Sequence, residues 1–240
     1  MTQSLDGALI PERFASQGPT DAGWVPIVTR ADLDEEATSI LTAIARVEWG
    51  HLCHAYGTAD DVAAQLAAIT VGDHVTRTTA WWNLWGNIHH QGTIYAATVP
   101  AVPILVRLAD WISYPDRAEA IFFLREVAEA EGVVVWSYDS DGALIHDEGL
   151  QAELTNQLRG TVHRSAEHLL SSWRTAPVDV RRALILLLTS LPDLRTRFVE
   201  LVDQDLPAEL RAAWDVEASG RRGELTDDIG ALERWTHTGE

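Results

Sequence analysis

A chain of 240 residues, 46% of them apolar, is long enough for one large domain or an extended array of helical repeats. Its 36 acidic residues outnumber 18 basic ones, all arginine, and the formal net charge of -18 disfavours binding to nucleic-acid phosphates. The single cysteine, Cys53, excludes an internal disulfide. Because no apolar run reaches membrane-spanning length and the N-terminus lacks a secretory signal pattern, we expect a cytoplasmic protein without a membrane partner.

The first part of the chain divides into a lead-in and three predicted helices. Residues 1–31 carry glycine and proline but little helical periodicity, which predicts an extended segment. Apolar residues at helical spacing then predict a helix over 32–56, ended by Gly57. Further helices are predicted over 58–69 and 74–85.

The remainder is predicted to be helical with one interruption. Capping residues and regularly spaced prolines predict helices over 98–111, 117–131, 150–174, 178–190, 193–204, 208–218 and 221–235. Two β-prone runs around Asp-Ser-Asp-Gly predict a hairpin-like insertion at 133–148. About ten helices joined by short turns indicate an all-α fold, a HEAT- or armadillo-like α-solenoid of about five helix pairs in one domain over 32–240. A globular helical bundle is the alternative.

Two strings in the first half carry a resemblance to a known group. HAYGTADD at 54–61 and HQGTIYAATVPAVP at 90–103 match, in order and spacing, the HAYG-x-A-x-D and HQGT-x-Y-x-AT-x-x-AVP segments of actinobacterial HEAT-repeat-like proteins. The chain resembles that group over about residues 45–112. The resemblance implies a HEAT-like α-solenoid and leaves the activity open. Some HEAT-like proteins of this size resemble immunity proteins of toxin systems, and others resemble alkylpurine DNA glycosylases.

The segment WWNLWGNIHHQGT, residues 81–93, admits two interpretations. The chain must turn at Gly86 or soon after and again at Gly92, so polar side chains there would satisfy backbone groups at the helix ends. The residues of such a joint would be Asn87, His90, Gln91 and Thr93. In the other interpretation the segment lines a pocket, because indole rings suit flat or cationic ligands. The pocket residues would be Trp81, Trp85, His89, His90 and Tyr95.

Further candidate residues lie outside this segment. Glu48 precedes Trp49, and a carboxyl at the edge of an aromatic zone is a candidate general acid or base. His51 and His54 lie one turn apart on the predicted first helix and form the best metal-binding pair. No group of residues has the spacing of a structural zinc site, so we expect neither a metal nor a cofactor.

Together these patterns predict a non-enzymatic, immunity-like interaction protein that engages a cationic protein partner through an acidic, aromatic, concave surface. The candidate binding residues are Trp49, Trp81, Trp82, Trp85, Asn87, Gln91, Trp136 and Tyr138. The alternative is a small-molecule-binding protein or enzyme for a cationic ligand, with candidate catalytic residues His89, His90, Tyr95 and Glu48. A glycosylase-like repair protein would need a basic groove for DNA, which the net charge opposes. The sequence leaves the oligomeric state open.

Overall fold

The computed structural model describes residues 33–138, 144–146 and 148–206, which fall into two compact units. The first unit holds the described residues up to 104 and residues 131–155, and the second holds 105–130 and 156–206. The described helices are α1 (Glu35–Ala45), α2 (Val62–Val71), α3 (His74–Ile88), α4 (Thr98–Asp110), α5 (Arg117–Glu129), α6 (Glu148–Ser171), α7 (Val178–Thr189) and α8 (Pro192–Asp205). Eight helices and little sheet in the described ranges confirm the mostly helical class.

In the first unit, helix α2 forms the centre and contacts both α1 and α3. Eight of its ten residues are buried, as expected for a helix that is apolar on nearly every side. The neighbouring helices begin at aspartate caps. The Asp34 carboxylate accepts the Ala37 N–H at 2.7 Å to begin α1, and the Asp73 carboxylate accepts the Thr76 N–H at 2.8 Å to begin α3.

Short strands connect the helices of the first unit. They are β1 (Cys53–His54), β2 (Gly57–Thr58), β3 (His89–His90), β4 (Thr93–Tyr95), β5 (Val133–Val134), β6 (Trp136–Tyr138) and β7 (Leu144–His146). β1 pairs antiparallel with β2, and β4 lies between antiparallel β3 and parallel β5. β6 and β7 pair antiparallel with Trp136 opposite His146, which confirms the predicted hairpin within 133–148.

The prediction of one helix over 32–56 is wrong. Helix α1 ends at Ala45 and is followed by a 3₁₀ turn, Trp49–His51, and the β1–β2 hairpin. The apolar spacing continues past Ala45, but the indole Nε1 of Trp49 donates a hydrogen bond to the Ile44 carbonyl at 2.9 Å. The indole therefore folds back against the last turn of the helix and satisfies one of its exposed carbonyl groups.

The chain was predicted to turn at Gly86 or soon after, and α3 continues through Gly86 and ends at Ile88, two residues later. An isolated glycine is tolerated inside a helix at a modest energetic cost. The predicted turn at Gly92 is confirmed. Gln91 and Gly92 form the two-residue connection between β3 and β4, with φ values of 51° and 81°. Two successive positive φ values are typical of the tight turn that joins antiparallel strands.

The second unit is built on α5, α7 and α8, with α7 in contact with both of the others. Helix α7 contributes a continuous buried run from Ala183 to Thr189. Helices were predicted over 117–131, 178–190 and 193–204, and their counterparts α5, α7 and α8 end within two residues of those limits. The lead-in at 1–31 and the helices predicted over 208–218 and 221–235 lie outside the described residues. None of the described helices is long and apolar enough to cross a membrane.

Candidate functional site

The two strings that carry the family resemblance lie side by side in the first unit. HAYG forms the β1–β2 hairpin, and HQGT forms the β3–β4 hairpin. The Ala55 N–H donates to the Asn87 carbonyl at 2.9 Å, and the Ala97 N–H donates to the Cys53 carbonyl at 3.0 Å. The β1–β2 hairpin is therefore bonded to the backbone on either side of the β3–β4 hairpin.

Asp61 forms the polar centre of this joint. One of its carboxylate oxygens accepts from His54 Nε2 at 2.9 Å, and the other accepts from Gln65 Nε2 at 2.8 Å and Asn87 Nδ2 at 2.7 Å. Burial raises the pKa of Asp61, but the hydrogen bonds from His54 and from the amide of Asn87 outweigh that effect and hold the pKa below its usual value. Asp61 thus remains a carboxylate that ties the β1–β2 hairpin to α2 and α3.

His54 is fixed by both of its ring nitrogens. The Tyr56 N–H donates to Nδ1 at 3.0 Å, so the ring proton lies on Nε2, which donates to Asp61. The side chain is only 6% exposed. Neither nitrogen is left to act as a base or a metal ligand. His54 therefore acts as a connector within the joint.

The structure does not support the predicted metal-binding pair, His51 and His54. His51 lies on a 3₁₀ turn and His54 on a strand, so the helical spacing that would place them on one face is absent. His51 Nδ1 lies 3.3 Å from a Glu48 carboxylate oxygen, and both side chains are largely exposed. Among the described residues, no group of three or more His, Cys, Asp or Glu side chains is arranged to hold a metal ion.

Thr98 completes the joint on the side of α4. Its side chain is fully buried, and its hydroxyl donates to the Ile88 carbonyl at 2.6 Å while accepting the Tyr95 N–H at 2.9 Å. The end of α3 is thereby connected to the start of α4 across the β3–β4 hairpin. The contacts made by Asn87 and Thr98 are those of a packed joint between helices.

The aromatic residues of the joint are divided between its surface and its interior. Tyr56 is 67% exposed, and its hydroxyl lies 3.3 Å from His90 Nδ1 with the two rings edge to face. Tyr95 is buried. Burial raises the pKa of the Tyr95 hydroxyl, and the nearby Tyr56 and Cys53 raise it further, so this hydroxyl stays protonated. An exposed Tyr56–His90 pair thus lies at the surface of the joint.

His89, which precedes His90 in the chain, is partly enclosed at the end of α3. His89 lies edge to face with the Trp85 ring, with centroids 5.4 Å apart. Burial lowers the pKa of His89, and the neighbouring His90 lowers it further. His89 is therefore neutral at neutral pH.

The tryptophans do not form one wall. On α3, Trp81 is buried, Trp85 is half-buried and Trp82 is 80% exposed, because successive residues on a helix point in directions about 100° apart. Trp49 is buried beneath the end of α1. Trp136 lies on β6, with its side chain outside the described part of the structure. The same holds for Tyr138 on that strand.

A cavity of about 480 Å³ lies at the carboxyl end of α1. Its lining residues are Ala45, Arg46, Val47, Glu48, Trp49, Gly50, His51, Asp60 and Ala63. Glu48 and Trp49, two sequence candidates, line this cavity. The lining does not include the residues of the predicted aromatic pocket, which were Trp81, Trp85, His89, His90 and Tyr95. Asp60, which sequence reasoning missed, joins the cavity because the β1–β2 hairpin brings it next to Gly50.

Gly50 sets the position of the Asp60 carboxylate. A Cβ atom at position 50 would lie 2.6 Å from Asp60 Oδ1, closer than non-bonded atoms approach, so only glycine permits this placement. The other Asp60 oxygen accepts the Thr58 hydroxyl at 2.8 Å. The Thr58 hydroxyl thus holds one carboxylate oxygen of Asp60, and the absence of a Cβ atom at Gly50 leaves space for the other.

The electrostatics of the cavity favour a cation. Two carboxylates, Glu48 and Asp60, line it, and the carboxyl end of α1 adds the negative end of a helix dipole. One arginine, Arg46, also lines the cavity. The chain as a whole has a net charge of -18, which reinforces the attraction.

Comparison with known proteins returns no match to a protein-family model, a curated protein or a solved structure. The likeness to actinobacterial HEAT-repeat-like proteins therefore stays a prediction from the two strings.

Proposed function

We propose that this chain is a non-enzymatic binding protein for a cationic protein partner, and that the cavity at the end of α1 receives a positively charged side chain of that partner. The cavity carries this proposal because it combines concave shape with two carboxylates and a helix carboxyl end. An arginine or lysine side chain brings an apolar stem and a charged head, which suits a cavity with Trp49 and Ala63 in its wall and Glu48 and Asp60 beside them.

The charge of the whole chain supports the same partner class. An excess of acidic over basic residues speeds the encounter with a cationic protein and opposes approach to DNA or RNA. This is the charge relation expected of an immunity-like protein that neutralises a basic toxin. A HEAT-like α-solenoid built from the helix pairs is the scaffold that we propose for it, in line with the family resemblance.

The test is a titration with a defined cationic probe. A fluorescein-labelled decapeptide of alternating arginine and glycine is titrated with the full chain, with fluorescence anisotropy as the readout, at about 0.15 M salt, where distant surface charges are largely screened. The double variant Glu48→Gln/Asp60→Asn is compared with Asp193→Asn/Glu200→Gln, which removes the same charge from exposed positions of α8. We expect the cavity variant to weaken binding about tenfold and the α8 variant less than about twofold. Equal losses would show diffuse attraction and would overturn the proposal.

A pair of glycine variants tests the cavity geometry without changing any charge. Gly50→Ala places a Cβ against the Asp60 carboxylate, which must rotate away, and we expect weaker peptide binding with little loss of stability. Gly86→Ala is the matched control, because a Cβ there meets no atom within 4 Å. Unchanged binding by Gly50→Ala would remove Asp60 from the binding site.

The exposed Tyr56–His90 pair favours a second candidate, a binder or enzyme for a cationic small molecule. An exposed aromatic ring beside an imidazole can stack on a flat cation. Purification from the native host followed by native mass spectrometry separates the candidates. A co-purifying basic protein lost on Glu48→Gln/Asp60→Asn supports the protein-binding proposal. A bound mass of a few hundred daltons lost on Tyr56→Ala supports the small-molecule alternative.

A further inference from the structure

Helix α3 presents an exposed stripe on the face opposite its buried side. The stripe consists of the exposed Val75, Thr79 and Trp82 and the partly exposed Gly86. Val75 is 72% exposed and Trp82 is 80% exposed, whereas Trp81, Leu84 and Ile88 of the same helix are buried. The stripe has the 4-3-4 spacing of a coiled-coil seam, in which such residues face a partner helix.

The stripe is apolar although half of it consists of threonine and glycine. The Thr79 hydroxyl donates to the Val75 carbonyl at 3.0 Å, and the neighbouring Thr78 hydroxyl donates to the His74 carbonyl at 2.9 Å. Because both hydroxyls bond to their own helix, the threonines need no polar partner from elsewhere. A surface that satisfies its own polar groups can be buried at low cost.

The charge of α3 differs from that of the chain as a whole. Its sequence, HVTRTTAWWNLWGNI, contains no acidic residue, in a chain that has 36 of them. Arg77 donates to the Gly72 carbonyl at 2.9 Å, so its charge is directed toward the start of the helix. The acid-free stripe is therefore a poor target for a cationic partner.

The shape of the stripe is self-complementary in an antiparallel pair. When two α3 helices run in opposite directions, Trp82 of each faces Thr79 of the other, and Val75 of each faces Gly86. Every large side chain then meets a small one, which is the arrangement that fills space between helices. A Cβ built at Gly86 meets no atom within 4 Å, so the notch opposite Val75 is open.

We propose that α3 is the interface of a homodimer, in which the two stripes pack antiparallel about a twofold axis. A second copy is the occupant favoured by charge, because two chains that each carry -18 can meet at α3 without bringing acidic side chains of that helix together. An isologous contact uses the same patch on both copies, and this patch is complementary to itself. The proposal is independent of the cavity at the end of α1 and of its ligand.

Sedimentation velocity of the full chain tests the interface over a range of concentrations. The wild-type chain is expected to form a dimer in the micromolar range, and Trp82→Glu is expected to raise the dimer dissociation constant by at least about tenfold. Ile112→Glu is the matched control, since Ile112 is 84% exposed, lies in the other unit and gains the same charge. Raising the salt concentration should strengthen the wild-type dimer, because salt screens the repulsion between the acidic copies.

Two results would each overturn the proposal. A dimer that Trp82→Glu leaves intact has its interface elsewhere. A wild-type chain that stays monomeric up to about 0.5 mM does not use the stripe for self-association. If the wild type is monomeric, lower stability of Trp82→Glu would show that another part of the same chain covers the stripe. Unchanged stability would indicate that a different protein covers it.

Discussion

Replacing Asp61 by asparagine tests the polar centre that joins the two hairpins. Asparagine keeps the shape of the side chain but turns one acceptor oxygen into a donor and removes the charge. The amides of Gln65 and Asn87 can rotate to present their oxygens. His54 cannot adapt in this way, because its other nitrogen already accepts the Tyr56 N–H. The asparagine oxygen therefore has to face His54, and the loss is that of the charge that strengthens all three hydrogen bonds.

The expected change in the free energy of unfolding follows from the kind of hydrogen bond that is weakened. A hydrogen bond to a charged group contributes about 1.5–3 kcal/mol. The Asp61 side chain is 36% exposed, so water recovers part of each lost contact. We expect Asp61→Asn to lower the free energy of unfolding by about 2 kcal/mol, close to the value of one charge-assisted bond.

Urea denaturation measures this loss, and the adjacent residue supplies the control. Asp60 is exposed and its side chain accepts a hydrogen bond from the Thr58 hydroxyl, so Asp60→Asn should change the free energy of unfolding by less than about 0.5 kcal/mol. If Asp61→Asn is as mild as Asp60→Asn, the carboxylate does not hold the joint together and the reasoning fails.

The pH dependence gives the same prediction a second readout. The pKa of Asp61 is lower in the folded state than its usual 3.8, so the folded state binds fewer protons in this range. Its contribution is complete above the unfolded pKa and is lost as the pH falls through the lower folded value. The difference in stability between the wild type and Asp61→Asn should therefore shrink below about pH 4. A difference that stays constant down to pH 2 would contradict the assignment.

Three further predictions concern other buried polar groups. Thr98→Val leaves two buried backbone groups without their partner and should cost about 2–3 kcal/mol in urea denaturation, whereas the exposed Thr78→Val should be nearly neutral. Glu129→Gln removes one of the two carboxylates that pair with the buried Arg125 guanidinium and should cost about 2 kcal/mol, with a lower melting temperature as the readout. The pKa of His89 is depressed in the folded state, so stability should fall as the pH drops below about 6.5, and His89→Gln should flatten that part of the urea-midpoint profile between pH 7.5 and 5.5.

The helical periodicity of the sequence predicted helices whose limits depend on that periodicity alone. It failed where a side-chain contact accompanies the end of the helix. The pattern over 117–131 gave α5 to within two residues, because nothing but helical spacing and a following glycine governs that stretch. The first helix failed because Val47 and Trp49 keep the helical spacing after the helix has ended. The Trp49 indole donates a hydrogen bond to the Ile44 carbonyl where the helix ends. Both residues are apolar, so the local sequence pattern does not show that the helix ends between them.

The candidate site shows the same division. Glu48 and Trp49 were found because an acid next to a tryptophan is visible in the sequence. Asp60 was not, because its place in the cavity depends on the β1–β2 hairpin, in a stretch that was predicted to be a helix end and a cap. Asn87 was expected at a joint, but its partner Asp61 lies 26 positions away. Only the packing of α2 against α3 brings those two residues together.

The cavity and the α3 stripe occupy definite positions on the same unit, and this links the two proposals. The contact between Asp61 and Asn87 places the start of α2, beside the cavity, at the carboxyl end of α3. In an antiparallel pair of α3 helices, the two cavities therefore lie toward opposite ends of the pair. A partner with two cationic side chains that reach both cavities would bind the dimer with avidity that neither cavity provides alone. Loss of the dimer by Trp82→Glu would then weaken a bivalent partner while leaving a single-site peptide unaffected.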